Sequence, residues 1–221
     1  FAGLLAFLWM SIRQKETLIL EKRTPFLISN IISGYKTIFT NKRVIISTSV
    51  QASVLGGLFS YIASAPQIFT QWLNAEEQFP IYFCCIALIS AFSNIINATL
   101  VERLGMWVMS TFAIGFNMIF SAIIYLVLYM EIVSDIYLLP IFLIWSVVVF
   151  LTMAMSIGNL MALAMEPVGH IAGLAASIIG STSTLISILL AIPIGMMFDG
   201  TGMPLIASIT ILAITAFGLN I

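Results

Sequence analysis

Charge is the scarcest feature of this chain. Asp, Glu, Lys and Arg together make up 8% of its 221 residues, and there is one histidine. A soluble domain carries about 25% charged residues. The water-facing surface of a small domain has no room for a chain that is 61% hydrophobic, so a soluble globular enzyme is excluded as the main reading. A net charge of -1 supplies no basic field, so no nucleic-acid partner is expected. Cysteine is scarce too. Cys84 and Cys85 are neighbours inside an apolar run, a spacing poorly suited to a disulfide or a metal site, and both read as membrane-buried thiols. No paired carboxylates, metal cluster or activated nucleophile falls at membrane depth, so neither enzymatic chemistry nor a cofactor is expected.

Long apolar runs are what the chain does have. Six lie at about 44-68, 79-101, 106-129, 136-161, 171-198 and 203-221. Each approaches or exceeds the roughly 20 residues that cross a bilayer as a helix. The joints between them are short and polar: QWLNAEEQ, VERLG, EIVSD, MEPVGH and DGTG. Phe1 to Ile12 is apolar but too short to span, and it reads as the end of a helix that starts further upstream. The chain is therefore expected to be part of a longer one.

Basic residues set the orientation. Arg13, Lys15, Lys22, Arg23, Lys36, Lys42 and Arg43 precede the first full span, and Arg103 lies between the second and third. If spans alternate, all eight fall on one side. Glu76, Glu77, Glu131, Asp135 and Asp199 fall on the other. The positive-inside rule makes the basic side cytoplasmic, and the end of the chain with it. Between Arg13 and Arg43 the chain is too polar to span. Thr24 and Pro25 read as a helix start, and Leu27, Ile31, Tyr35 and Ile38 follow at helical spacing. This predicts a short amphipathic helix at the cytoplasmic interface of the lipid bilayer, in a basic linker over 13-43.

A partial helix at 1-12, a basic linker and six spans over 44-221 resemble the second half of a major facilitator superfamily transporter. Four stretches are similar to the Bcr/CflA drug-resistance antiporters: Glu16 to Leu18, Ser60 to Phe69, Ala162 to Ser177, and Asp199 to Pro204. Leu100, Glu102, Arg103 and Gly105 loosely match the superfamily's loop pattern between the second and third helices of a half. Ala98, Met106 and Trp107 depart from that pattern. The resemblance implies an all-α integral membrane fold, half of a twelve-helix transporter. It implies efflux of lipophilic, bicyclomycin- or chloramphenicol-type drugs in exchange for protons across the bacterial inner membrane. It also implies a partner N-terminal half, without which this chain is inactive. Glu102, Arg103 and Gly105 are then expected to form a conformational loop, with Glu102 and Arg103 as a charge pair.

The family places the first and fourth spans of a half around the substrate cavity. In the fourth, Trp145, Val149, Thr152, Ser156 and Asn159 recur at helical steps and form a stripe about 80° wide. In the first, Gln51, Val54, Leu58 and Tyr61 share a face of similar width. An aromatic and polar stripe is costly toward lipid, so it faces either a cavity or neighbouring helices. Ala176, Gly180, Ser183, Ser187, Ala191 and Gly195 form a small-residue stripe suited to close helix packing, at Gly180 among others. Asn94, Asn97, Asn117 and Ser121 are expected to bond between helices. No carboxylate sits at mid-span, so a proton-coupling group is expected in the other half. Two alternatives stand beside drug export: part of a metabolite importer of the same superfamily, or a membrane remnant that transports nothing.

Overall fold

The computed structural model describes residues 2-13 and 28-221. Lys15, Glu16 to Leu18, Lys22 to Pro25 and Leu27 lie outside them. The chain divides into two compact units, Phe1–Ser33 and Gly34–Ile221. In the first, Ala2–Arg13 forms helix α1, with the Arg13 guanidinium 5.5 Å above the Trp9 ring. Helix α2, Ile28–Ile38, begins in the first unit and ends in the second.

The second unit is a bundle of six long helices: α3 Lys42–Gln67, α4 Phe79–Leu104, α5 Met106–Tyr129, α6 Leu138–Met165, α7 Ala172–Met196 and α8 Met203–Asn220. No strand occurs among the described residues. Each predicted apolar run is one of these helices. Among the described residues, five continuous helical stretches are long and apolar enough to cross a membrane. One of them, Asp135–Met196, is 62 residues long, far beyond one crossing. It is broken at Val168 (φ -120°, ψ 22°), where a 3-10 turn, Glu166–Ile171, separates α6 from α7.

Local chemistry explains the ends. The Asn41 side chain caps α3 by accepting from the Arg43 amide at 2.9 Å. Prolines stand in the first turns of α4 and α8, where no helical N–H is lost. Pro66 lies near the end of α3, and the chain then widens into a π-turn, Ile68–Trp72. The turn into α8 is built by Asp199, whose Oδ1 accepts from the Thr201 amide at 2.9 Å and its hydroxyl at 2.7 Å. Gly105 (φ 84°) joins α4 to α5, and Gly200 (φ 94°) sits between α7 and α8.

The packing has a simple rule. α3 packs on α6, α7 and α8, and α6 packs on α3, α4 and α5, while α5 also packs on α8. Exchanging α3, α4, α5 for α6, α7, α8 turns the α3–α7 contact into α6–α4 and the α3–α8 contact into α6–α5. It leaves α3–α6 and α5–α8 unchanged. Each member stands three places along the chain from its counterpart, an odd step, so helices that alternate in direction set the two triplets opposite ways.

Burial follows from position. α3, with its π-turn, is the least apolar candidate span and the most buried. Protein neighbours tolerate its Ser, Thr, Gln and Gly, which lipid would not. α4 is strongly apolar and the most exposed, burying only Ile86, Ser90 and Ser93. One end of the bundle gathers Lys42, Arg43, Trp107, Leu163 and Asn220. The basic residues of the bundle, Lys36, Lys42, Arg43 and Arg103, belong to this end. Arg43 there pairs with Glu166 at 3.0 Å. The last turn of α2 also docks near this end: Ile38 is buried with Val44, Ala175 and Ile178, and the Tyr35 and Thr182 hydroxyls bond at 2.5 Å.

Candidate functional site

An aromatic cluster fills the bundle where the end of α3 meets the start of α6. Tyr61, Phe69, Phe142 and Trp145 are fully buried. Phe142 meets Phe69 and Trp72 edge-on at 5.8 Å and stands tilted against Trp145 at 5.2 Å. Tyr61 lies 6.0 Å from both Phe142 and Trp145. Such offset and edge-on pairs each contribute about 0.5–1.5 kcal/mol beyond their packing. The polar atoms of the cluster are satisfied within it. The Tyr61 hydroxyl donates to Ser146 Oγ at 2.8 Å. Trp145 Nε1 donates to Ser121 Oγ at 2.9 Å, and Ser121 donates to Asn117 Oδ1 at 3.0 Å.

The cluster continues beyond the buried core. Phe150 of α6 meets Tyr61 edge-on at 4.9 Å and Phe83 of α4 at 5.8 Å. Phe83, Phe150 and Leu58 are half-buried. They give the cluster a partly exposed apolar edge.

The predicted stripe on α6 is turned inward. Trp145 and Val149 are wholly buried, and Thr152, Ser156 and Asn159 nearly so. In this arrangement the stripe meets neighbouring helices of the bundle. Its residues hold the bundle together. Asn159 Nδ2 donates to Asn97 Oδ1 at 2.7 Å, and Asn97 Nδ2 donates back to Asn159 Oδ1 at 3.3 Å. Thr152 and Ser156 donate to carbonyls of their own helix. With Ser53, Gly57 and Asn117 they line an internal cavity of about 20 Å³, room for one water.

On α3, Gln51 is buried and Leu58 stands half-buried against the aromatic core. Gln51 Oε1 and Thr48 Oγ1, one turn apart, have no hydrogen-bond partner among the described residues. Glu102 and Arg103 are exposed and form no ion pair with a described residue, so the expected charge pair is absent. The ion pair at that end is Arg43 with Glu166. Gly105 makes the turn itself, at φ 84° and ψ 154°, a conformation few other residues adopt.

Helical periodicity found Tyr61 and Trp145 but missed Phe83 and Phe150. Phe150 had a legible signal: Leu143, Phe150, Ile157 and Met161 form their own helical stripe, and all are half-buried. Among the described residues no group of His, Cys, Asp and Glu is placed to hold a metal. No family model, curated protein or solved structure matches this chain.

Proposed function

We propose that this chain is one six-helix half of a major facilitator superfamily transporter, of the drug–proton antiporter kind its motifs resemble, and that together with a second half it exports lipophilic compounds across the bacterial inner membrane. The observation that carries this reading is the exchange of α3–α5 for α6–α8 in the packing. Inverted three-helix repeats nested in a six-helix half belong to that superfamily's architecture.

Two further features support it. Asn94 is exposed on α4 with no hydrogen bond to a described residue, and Ser177, Ser181 and Thr184 are exposed on α7. α4 and α7 trade places under the exchange. Lipid disfavours an unpaired polar group such as Asn94, so the α4 face suits a second helical body laid over it, whereas the Ser177 and Ser181 hydroxyls are already paired with the Leu174 and Ile178 carbonyls of their own helix. A single half has no opposing wall, and alternating access requires one. The edge formed by Phe83 and Phe150 then becomes one wall of the cavity. Flat rings there accept apolar drugs by contact and cationic ones through the ring faces. Among the described residues no Asp, Glu, Lys, Arg or His lies at mid-span. In this reading the proton-coupling group belongs to the second half.

Accumulation of ethidium, a lipophilic cation, tests the reading in energised cells with and without the native gene. Deletion is expected to raise accumulation, and restoring the gene as Phe150→Ala is expected not to lower it, with the protein still present in the membrane. Equal accumulation with and without the gene rejects export of this class. Faster uptake of a polar metabolite by cells carrying the gene points to import instead.

A further inference from the structure

The basic end of the bundle carries a cleft that the transport reading does not use. It has a volume of about 370 Å³ and opens between the starts of α3 and α5 and the ends of α6 and α8. Lys42, Arg43, Ser47 and Asn220 are its polar lining, and Ile46, Trp107 and Leu163 are part of its apolar lining. The two cations are not equivalent. The Arg43 guanidinium is engaged by Glu166 at 3.0 Å. Lys42 is exposed and forms no ion pair with a described residue. Trp107 Nε1 donates to the Asn220 carbonyl at 2.8 Å, which fixes the indole at the cleft and satisfies a carbonyl at the end of α8. The positive ends of α3 and α5 there are offset by the negative ends of α6 and α8, so the side-chain cations carry the attraction for an anion.

A free cation beside an apolar trough, at the end of membrane-spanning helices, fits a particular ligand. It must carry negative charge at one end and a hydrocarbon chain at the other. Inorganic phosphate would use only the first feature and a zwitterionic lipid would use the charge poorly. We propose that this cleft binds an anionic phospholipid, its phosphate on Lys42 and an acyl chain along Ile46, Trp107 and Leu163. Basic pockets between helices on the cytoplasmic side are suited to such headgroups. The site requires only that the chain spans a bilayer, so it stands or falls separately from drug export.

Native mass spectrometry of the purified chain in detergent tests this, with phosphatidylglycerol, phosphatidylcholine or inorganic phosphate added. Phosphatidylglycerol is expected to bind in preference to both. Lys42→Gln should weaken its binding about fivefold, the share of one lysine near an anionic headgroup. Lys42→Arg, which keeps the charge, should retain it, and Lys36→Gln on α2 should leave it unchanged. Equal binding of the two lipids overturns the site. So does unchanged binding in Lys42→Gln, or an equal loss in Lys36→Gln, which would mean diffuse attraction by surface charge. Phosphate that displaces the lipid at equal concentration would show that the trough contributes nothing, and would also overturn it.

Discussion

α3–α5 and α6–α8 occupy interchangeable places in the bundle but are held there by different chemistry. α3 meets α7 through a close approach: a Cβ on Gly56 would stand 3.3 Å from Leu190 Cβ. The equivalent contact, α6 with α4, is held by the reciprocal amides of Asn97 and Asn159. Gly57 of α3 lies closest to Met153 of α6, in the contact that the exchange maps onto itself, while the α6–α5 contact carries the Trp145–Ser121 hydrogen bond. Where α3 approaches α7 closely at a glycine, α6 is joined to α4 by polar side chains. Both devices serve membrane helices, which gain little from the hydrophobic effect between themselves. The arrangement of helices repeats even though the residues do not.

Substitutions break the two sets in different ways. Trp145→Ala should have the largest effect. It removes a wholly buried ring and the hydrogen bond to Ser121, a loss of about 3–5 kcal/mol. Thermal unfolding in detergent and the folded yield would both fall, and an unchanged unfolding temperature would show that the cluster does not hold α5 against α6. The paired turns come next. Gly105→Ala and Gly200→Ala put a side chain where φ is positive, with nothing within 4 Å to obstruct the new Cβ, so backbone strain is the whole effect. Each should cost about 1–3 kcal/mol. A loss at one turn and none at the other would mean that the two turns are not equivalent.

Asn159→Leu removes the α4–α6 amide pair and should cost about 0.6–1.7 kcal/mol, the range for hydrogen bonds between membrane helices. Gly180→Leu should have the smallest effect on stability, within about 0.5 kcal/mol, because a Cβ there meets nothing within 4 Å. The small-residue stripe of α7 is thus corrected in part: Ser183, Ser187 and Ala191 are buried, while Gly180 is not closely packed. If a second half covers that face, Gly180→Leu should instead reduce ethidium export at normal yield.

The six helices were legible because each apolar run is long and ends in polar or helix-breaking residues, as at Gly105 and at Asp199 to Gly202. The continuous turn at Glu166–Ile171 was legible too, from Pro167 and Gly169 in a polar joint. The direction of the α6 stripe was not. Periodicity shows that Trp145 and Asn159 share a face, but it does not show whether that face meets Ser121 and Asn97 or a cavity. Partners distant in sequence decide it. The exchange of helix sets was invisible for a related reason. It lies in which helices touch, and Gly56 has no likeness in sequence to the Asn97–Asn159 pair that serves the matching contact. Phe83 and Phe150 were missed because a phenylalanine in an apolar run carries no polar contrast to mark it.

The opposite insertion of the two sets is the claim on which the rest depends. Labelling of single introduced cysteines by a membrane-impermeant maleimide in intact cells tests it most directly, with Cys84 and Cys85 first replaced by alanine. Glu102→Cys, in the joint between α4 and α5, should label only after the cells are opened. Thr201→Cys, in the equivalent joint between α7 and α8, should label in intact cells. Labelling of both positions from the same side would contradict the inverted pair of three-helix sets.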